Sequence, residues 1–257
     1  MPEFTEYAPG TPCWVDVTSP DLKGSVAFYT ALFGWTAEED PRPEAGGYTM
    51  FSKDGKLVAA GSPPQQEGMP SFWSTYLASD DVDATAGKIR EAGGALLMEP
   101  FDVFDAGRMA VATDPTGAAF GVWQAGEHHG AQLANEPGSF TWNECQTTDP
   151  VAAAAFYSAV FGHGVDEWDM GQGEPYRVLK VGDKGIAGLS KIGPEQEGTP
   201  PNWATVFSVA DTDASVARAQ ELGAELLVPP MDLPDIGRFA VLQDPVGAVF
   251  QVLANPA

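Results

Sequence analysis

Hydrophobic and polar residues follow two periods along the chain, and the alternation predicts short strands separated by amphipathic helices. Residues 13–18 and 73–78 have the two-residue period of strands. Residues 21–33 and 81–92 carry apolar residues three and four positions apart, which predicts helices. Asp21 stands where it can cap the first helix. Further strands are predicted at residues 48–51, 57–60, 109–113 and 118–123.

The same pattern recurs in the second half of the chain. Trp14 returns as Trp142, 128 residues later, and residues 105–120 return as residues 235–250 in the form D-x-G-R-x-A-V-x-x-D-P-x-G-A-x-F. A repeat of this length indicates duplication of a whole domain. The predicted order is β-α-β-β-β, used four times. We therefore expect an α+β protein with a first domain at 1–125, a linker at 126–137 and a second domain at 138–257.

Charge and cysteine content narrow the possible partners. The chain has 13 basic and 36 acidic residues, for a net charge of −23, so its field would repel phosphate backbones and anionic lipid surfaces. Nucleic-acid and membrane partners are therefore not expected. The sequence shows no signal peptide and no long apolar run, which predicts a cytoplasmic protein. The two cysteines, Cys13 and Cys145, are expected to be reduced and buried.

Two sequence motifs, each present once in each copy, indicate a resemblance of this chain to a known protein family. F-Y-x-x-x-F-G closes the first predicted helix of each copy at residues 28–34 and 156–162, and D-P-x-G turns into the last strand at residues 114–117 and 244–247. Over essentially the whole chain, this arrangement resembles the vicinal oxygen chelate superfamily of glyoxalases, bleomycin-resistance proteins and dioxygenases. The resemblance extends to tandem glyoxalase-like or "hydroxylase"-labelled proteins of actinobacteria. It implies four modules forming two such domains, with a ligand cleft between paired modules.

Metal-using members of this superfamily place His and Glu ligands on facing strands, but those positions differ here. Alignment on D-P-x-G puts Gly121 and Gln251 at the usual ligand position of the last strand. The strand at 73–78 and its counterpart contain no His, Asp or Glu, which leaves Asp16 and Glu144 as the only carboxylates. One carboxylate per copy is too few for a catalytic metal site. We therefore expect no metal and no other cofactor.

The three histidines are not expected to replace the missing ligands. His128 and His129 lie in the predicted linker and are expected to be solvated, unless the linker folds back over a cleft and brings His128 to it. His163 follows a helix end, where it would favour the helix dipole.

Strand alternation puts Trp14 and Asp16 on one face, which the motif alignment assigns to the cleft. Asp16 and Glu144 are the candidate catalytic groups, because a carboxylate on an apolar strand needs a partner or a cavity. The candidate ligand-binding residues are Trp14, Tyr48, Trp73, Tyr76, Trp123, Arg108, Trp142, Tyr176, Trp203 and Gln251. The alternative role for Trp14, Arg108 and their counterparts is structural, with Arg108 and Arg238 pairing with Asp105 and Asp235.

The two clefts are not expected to be equivalent. Tyr76, Gly121 and Trp123 become Val206, Gln251 and Leu253, which makes the first copy more aromatic and the better candidate for ligand binding. The leading hypothesis is a protein that binds a small aromatic or apolar metabolite without a metal. The alternatives are a metal-free hydroxylase-like enzyme, lyase or isomerase using Asp16 or Glu144, and a metal-dependent glyoxalase or dioxygenase. A monomer is expected to suffice, with a homodimer as the alternative.

Overall fold

The computed structural model of the chain describes residues 3–169, 173–196 and 198–256. Each half of the sequence folds into one eight-stranded sheet with two helices, so the predicted α+β fold of four β-α-β-β-β modules is confirmed. None of the helices in these ranges is long and apolar enough to span a membrane.

The first domain runs from β1 to β8. Its strands are β1 (Pro12–Thr18), β2 (Thr36–Glu39), β3 (Thr49–Lys53), β4 (Lys56–Ser62), β5 (Phe72–Ala78), β6 (Ala95–Val103), β7 (Gly107–Thr113) and β8 (Ala119–Ala125). Its helices are α1 (Leu22–Phe33) and α2 (Val82–Glu91). The strand order is β2-β3-β4-β1-β5-β8-β7-β6, and antiparallel pairing of β1 with β5 joins the two modules.

The second domain repeats this order from β9 to β16. Its strands are β9 (Phe140–Thr147), β10 (Gly164–Trp168), β11 (Tyr176–Val181), β12 (Lys184–Lys191), β13 (Asn202–Ser208), β14 (Glu225–Leu233), β15 (Gly237–Gln243) and β16 (Val249–Ala254). Its helices are α3 (Pro150–Phe161) and α4 (Thr212–Glu221). The modules thus pair within each copy and not across the two copies.

Local sequence signals fix the helix ends. The side chain of Asp21 accepts a hydrogen bond from the backbone N–H of Gly24, as predicted for a capping residue. Gly34 ends α1 with a φ of 71°, a left-handed conformation that glycine adopts without steric cost. Because the helix stops there, the chain can turn back into β2 at the sheet edge.

The two family motifs meet across the interface between the domains. Tyr29 of α1 donates a hydrogen bond of 2.9 Å to the carboxylate of Asp244, and Tyr157 of α3 donates one of 3.2 Å to Asp114. The indole N–H of Trp73 donates to the Tyr29 hydroxyl at 2.8 Å. All of these side chains are buried. Each domain therefore supplies the acceptor that the buried tyrosine of the other domain requires.

We expect Tyr29→Phe to lower the free energy of unfolding by about 1–3 kcal/mol, because it leaves Oδ2 of the buried Asp244 carboxylate and the buried indole N–H of Trp73 without a partner. Tyr157→Phe should have a similar effect, since its hydroxyl accepts from Trp203 at 2.8 Å. Urea unfolding followed by circular dichroism measures the change. Tyr7→Phe is a useful comparison, because its hydroxyl bonds a backbone carbonyl within one domain. Unchanged stability in Tyr29→Phe would show that the interdomain bond contributes nothing net.

Residues 126–137 form neither helix nor strand, but they pack along the first domain. The backbone N–H of Ala131 donates to Cys13, and the N–H of Gln132 donates to Leu57. Ala131 and Leu133 are buried. This segment therefore returns over the first sheet before β9 begins. Cys13 and Cys145 are both buried free thiols, as predicted.

Candidate ligand cavity of the first domain

A cavity of about 660 Å³ lies on the face of the first sheet that is turned away from the interdomain core. Alternation along β1 explains its lining, because Val15 and Val17 belong to the core while Trp14 and Asp16 reach the cavity. Tyr48, Tyr76 and Trp123 also line it. Five of the predicted site residues therefore meet in one cavity.

Asp16 is the polar centre of this cavity. Its carboxylate is 4% exposed and accepts hydrogen bonds from the hydroxyl of Tyr76 at 2.9 Å and that of Tyr48 at 3.3 Å. The indole N–H of Trp14 donates to the Tyr48 hydroxyl at 2.9 Å. Within the described chain, no basic side chain pairs with Asp16. The result is a buried carboxyl group held by neutral donors alone.

This environment changes the acidity of the groups involved. Burial raises the pKa of Asp16 to about 6, and the hydrogen bonds from Tyr76, Ser74 and Tyr48 only partly oppose the effect. Burial, reinforced by the nearby carboxylate, holds the pKa of Tyr48 and of Tyr76 well above the usual range of a phenol. Both tyrosines therefore remain hydrogen-bond donors at neutral pH, while Asp16 can take up or release a proton there.

His128 closes one side of the cavity, so the prediction that it is solvated is wrong. Its ring packs edge-on against Trp14, with centroids 4.4 Å apart, and against Trp123, with centroids 5.7 Å apart. The backbone carbonyl of His128 accepts from the Trp123 indole at 2.9 Å, and its Nε2 is enclosed without a partner. Burial lowers its pKa to about 4, so the ring is neutral. His128 reaches this place because the 126–137 segment folds back over the first domain.

His163 follows the end of α3, as predicted, and it lies in the interdomain core. It is 5% exposed, and its Nε2 is 3.0 Å from the carbonyl oxygen of Gly10. Burial lowers its pKa to about 4. Its counterpart in the first domain is Trp35, whose indole donates to the carbonyl of Gly138 at 2.7 Å. The two residues thus perform the same packing role on either side of the interface.

Three residues, which we call the rim clasp, cross the mouth of the cavity: Arg42, Phe104 and Asp105. The guanidinium of Arg42 pairs with Asp40 at 2.6 Å and with Asp105 at 3.3 Å, and it lies 4.2 Å from the centre of the Phe104 ring. Phe104 has a φ of 49°, an unusual backbone conformation for a bulky residue. The clasp connects the loop before β3 with the turn between β6 and β7, one from each module. No periodic signal in the sequence pointed to it.

The cavity has no donor set for a metal ion. At the usual ligand position of β8, a Cβ atom on Gly121 would overlap the ring of Tyr76, so the tyrosine fills the space that a ligand side chain would need. Asp16 is already bonded to two phenols. The described residues contain no group of three His, Cys, Asp or Glu side chains that could hold a metal. The residues present do not fit the metal that the fold suggests.

The second domain keeps part of this arrangement. The indole N–H of Trp142 donates to the hydroxyl of Tyr176 at 2.9 Å, as Trp14 does to Tyr48. Glu144 accepts from Ser190 at 2.8 Å and from Gln146 at 3.2 Å. Burial and the charge of Glu144 raise the pKa of Tyr176 well above the usual range. No tyrosine corresponds to Tyr76 there, so the two clefts differ, as their sequences indicate.

The remaining predicted site residues lie elsewhere. Trp73 and Trp203 belong to the interdomain core, where each bonds a buried tyrosine. Arg108 forms ion pairs of 2.8 Å with Asp83 and with Asp102, so the expected pairing with Asp105 is wrong. In the second domain, Arg238 pairs with Asp213 and Asp232 rather than with Asp235. None of the four lines the cavity.

The chain belongs to the glyoxalase/bleomycin resistance protein/dioxygenase superfamily. Residues 13–122 match that superfamily, and residues 142–253 match the glyoxalase-like domain. Similar proteins include a putative glyoxylase, CFP32, of Mycobacterium tuberculosis, which is 47% identical over 98% of both chains. The anthracycline biosynthesis protein DnrV of Streptomyces peucetius is 45% identical over 97% of this chain and 95% of its own.

Solved structures share the fold at low sequence identity. The Mn(II)-bound glyoxalase of Novosphingobium aromaticivorans has a TM-score of 0.67 and 17% identity, and the match covers 96% of this chain and 82% of that one. The 2,2',3-trihydroxybiphenyl 1,2-dioxygenase of Sphingomonas wittichii has a TM-score of 0.66 and 14% identity, with 96% and 91% covered. These likenesses support the tandem two-domain fold.

Proposed function

We propose that the protein binds a small, planar aromatic metabolite in the cavity of the first domain, without a metal ion. The observation that carries the proposal is the buried Asp16 carboxyl, held by Tyr48 and Tyr76 in the floor of an aromatic cavity. The volume of the cavity, about 660 Å³, is within the range of small-molecule pockets. Trp14 and Trp123 offer apolar surface to a ring system, while the Asp16 group offers one directed polar contact.

The names of the relatives bear on the class of ligand in two ways. One relative at 45% identity is an anthracycline biosynthesis protein, and anthracyclines contain fused planar rings. The relatives at 47% identity are named putative glyoxylases, a name that indicates an enzyme rather than a protein that only binds its ligand. The aromatic walls agree with a fused-ring ligand more directly than with a small aliphatic aldehyde.

A titration of tryptophan fluorescence with a planar anthraquinone, alizarin, tests binding. We expect saturable quenching that is the same with and without EDTA. Trp123→Leu introduces the residue of the second domain and should weaken binding about tenfold, because an aromatic wall is lost. Trp168→Phe, at an exposed site of the second domain, is the matched control. Absence of saturable binding by the folded protein, or equal binding by Trp123→Leu, would contradict the proposal.

A metal-free enzyme is the second candidate, and the environment of Asp16 favours it. A carboxyl group with a pKa of about 6 is suited to accept and return a proton near neutral pH. In this role Asp16 would take a proton from a bound phenol or an activated C–H, while Tyr48 and Tyr76 orient the carboxylate through their hydroxyls. Chromatography of the bound compound after incubation distinguishes turnover from binding. Asp16→Asn should then retain binding and lose turnover, and unchanged turnover would rule out this role.

A further inference from the structure

The cleft of the second domain contains a buried amide without a partner. Gln251 of β16 is 4% exposed, and its amide makes no hydrogen bond to any part of the chain that the structure describes. Among the described residues, the polar side-chain atoms that are both fully enclosed and without a partner belong to His128, Asn143, His163 and Thr205. Gln251 is not one of them, so its unbonded amide still has contact with solvent. An amide in this state is free to bond a ligand in place of water.

Glu144 lies on the same face of this sheet and lacks a counter-charge. Its hydrogen-bond donors, Ser190, Gln146 and Tyr176, are all neutral. On β12, which pairs with β9, Lys191 forms an ion pair with Glu174, and Lys184 lies four residues before Gly188, the residue beside Glu144. On β11, Arg177 pairs with Glu167 and Glu174. None of the ion pairs among described residues includes Glu144, although its side chain is only partly buried.

The strand register brings these two groups to one surface. Gln251 lies beside Val206 on β13, and Val206 lies beside Trp142 on β9. Two residues further along β9 is Glu144, which lies beside Ala204. On β13, the strand between Glu144 and Gln251, the side chains on this face are those of Val206 and Ala204, and both are small. In the first domain the ring of Tyr76 lies over Gly121, whereas in the second domain Val206 and the Gln251 side chain take these two positions.

We propose that this surface binds the ammonium group of a small aromatic amine, with Glu144 as its counter-charge and Gln251 as its hydrogen-bond acceptor. Trp142 and Tyr176 border the carboxylate, and aromatic rings attract cations. The net charge of −23 raises the local concentration of cationic ligands around the protein. The first-domain cavity differs, because two phenols donate hydrogen bonds to Asp16 there. The two domains would then select ligands of different charge.

Isothermal titration calorimetry with tyramine, and with its uncharged counterpart tyrosol, tests the proposal. The two probes differ only in bearing an amine or a hydroxyl group. We expect wild-type protein to prefer tyramine about tenfold or more, and the preference to shrink as salt is added. Glu144→Gln should remove the preference, and Gln251→Leu should weaken tyramine binding several-fold. Asp16→Asn is the matched control in the other domain and should leave tyramine binding unchanged.

Equal affinity for tyramine and tyrosol would overturn the proposal, as would no saturable binding of tyramine by a folded wild-type protein. A loss of tyramine binding in Asp16→Asn with none in Glu144→Gln would also overturn it, since the amine would then occupy the first cavity. Circular dichroism and urea unfolding show whether each variant is folded. Because alizarin binding is measured on the same proteins, the second-domain site and the first-domain proposal succeed or fail separately.

Discussion

Gly121→Gln is expected to destabilise the protein by about 1–3 kcal/mol, the usual cost of overpacking a core, and to abolish binding in the first cavity. A side chain at position 121 would occupy the space of the Tyr76 ring, and the backbone of β8 cannot retreat because it pairs with β5 on one side and β7 on the other. Displacing Tyr76 removes one of the donors to Asp16. The substitution thus damages packing and site together.

The second domain supplies the compensating change. Val206 and Gln251 stand where the first domain has Tyr76 and Gly121, and both are buried without overlap. We therefore expect Tyr76→Val to recover much of the stability lost in Gly121→Gln when both are made together. A double-mutant cycle by urea unfolding measures this coupling. Ala119→Gln, at an exposed position of the same strand, is the control. Additive losses would show that the ring and the glycine are independent.

Asp16→Asn is expected to be more stable than the wild type by up to about 3 kcal/mol at pH 8. This value follows from the difference between the pKa of Asp16 in the folded protein, about 6, and the pKa of an unperturbed carboxyl group, 3.8. The sign follows from the direction of the shift. With its folded pKa raised, Asp16 contributes stability only when protonated, fully below pH 3.8, and loses it as pH rises through about 6. The asparagine never carries the charge that burial penalises.

Urea unfolding at pH 4, 6 and 8 checks this difference. Comparison with the wild type cancels His128 and His163, whose lowered pKa values destabilise the folded protein as pH falls from about 6.5 toward 4. Asp54→Asn, in an exposed turn, is the control for the loss of one carboxylate from the chain. A lower stability of Asp16→Asn at pH 8 would mean that the hydrogen bonds from the two tyrosines outweigh the burial of charge. Functional sites commonly keep groups that lower the stability of the fold.

Strand periodicity accounts for what the sequence could predict of this site. A two-residue period fixes which face a side chain occupies, so Trp14 and Asp16 could be placed together, and the D-P-x-G turn aligned Trp123 with them. The same rule separates Trp73 from Tyr76, which is three residues further along the same strand. The large aromatic side chain of Trp73 is a hydrogen-bond partner of Tyr29 in the interdomain core. Side-chain type alone therefore did not distinguish core from cavity.

Loop residues of the site were beyond prediction for a different reason. His128, Arg42 and Phe104 lie in segments without a repeating pattern, and their positions depend on how distant strands bring those segments together. His128 reaches the cavity through backbone bonds of its segment to Ala106 and, further along, to Cys13. Such contacts are tertiary, and no local signal encodes them.

The interface and the clefts have been free to change to very different degrees since the duplication. Tyr29 and Asp244 come from different copies, as do Tyr157 and Asp114, so a substitution in one copy is felt by a partner in the other. These residues remain identical in both halves. The cleft residues of each domain contact residues of the same half of the chain, and there Tyr76 and Val206 differ. After the gene duplication, the domain interface has thus kept the same residues in both copies. The two clefts have been able to change independently and to acquire separate chemistry.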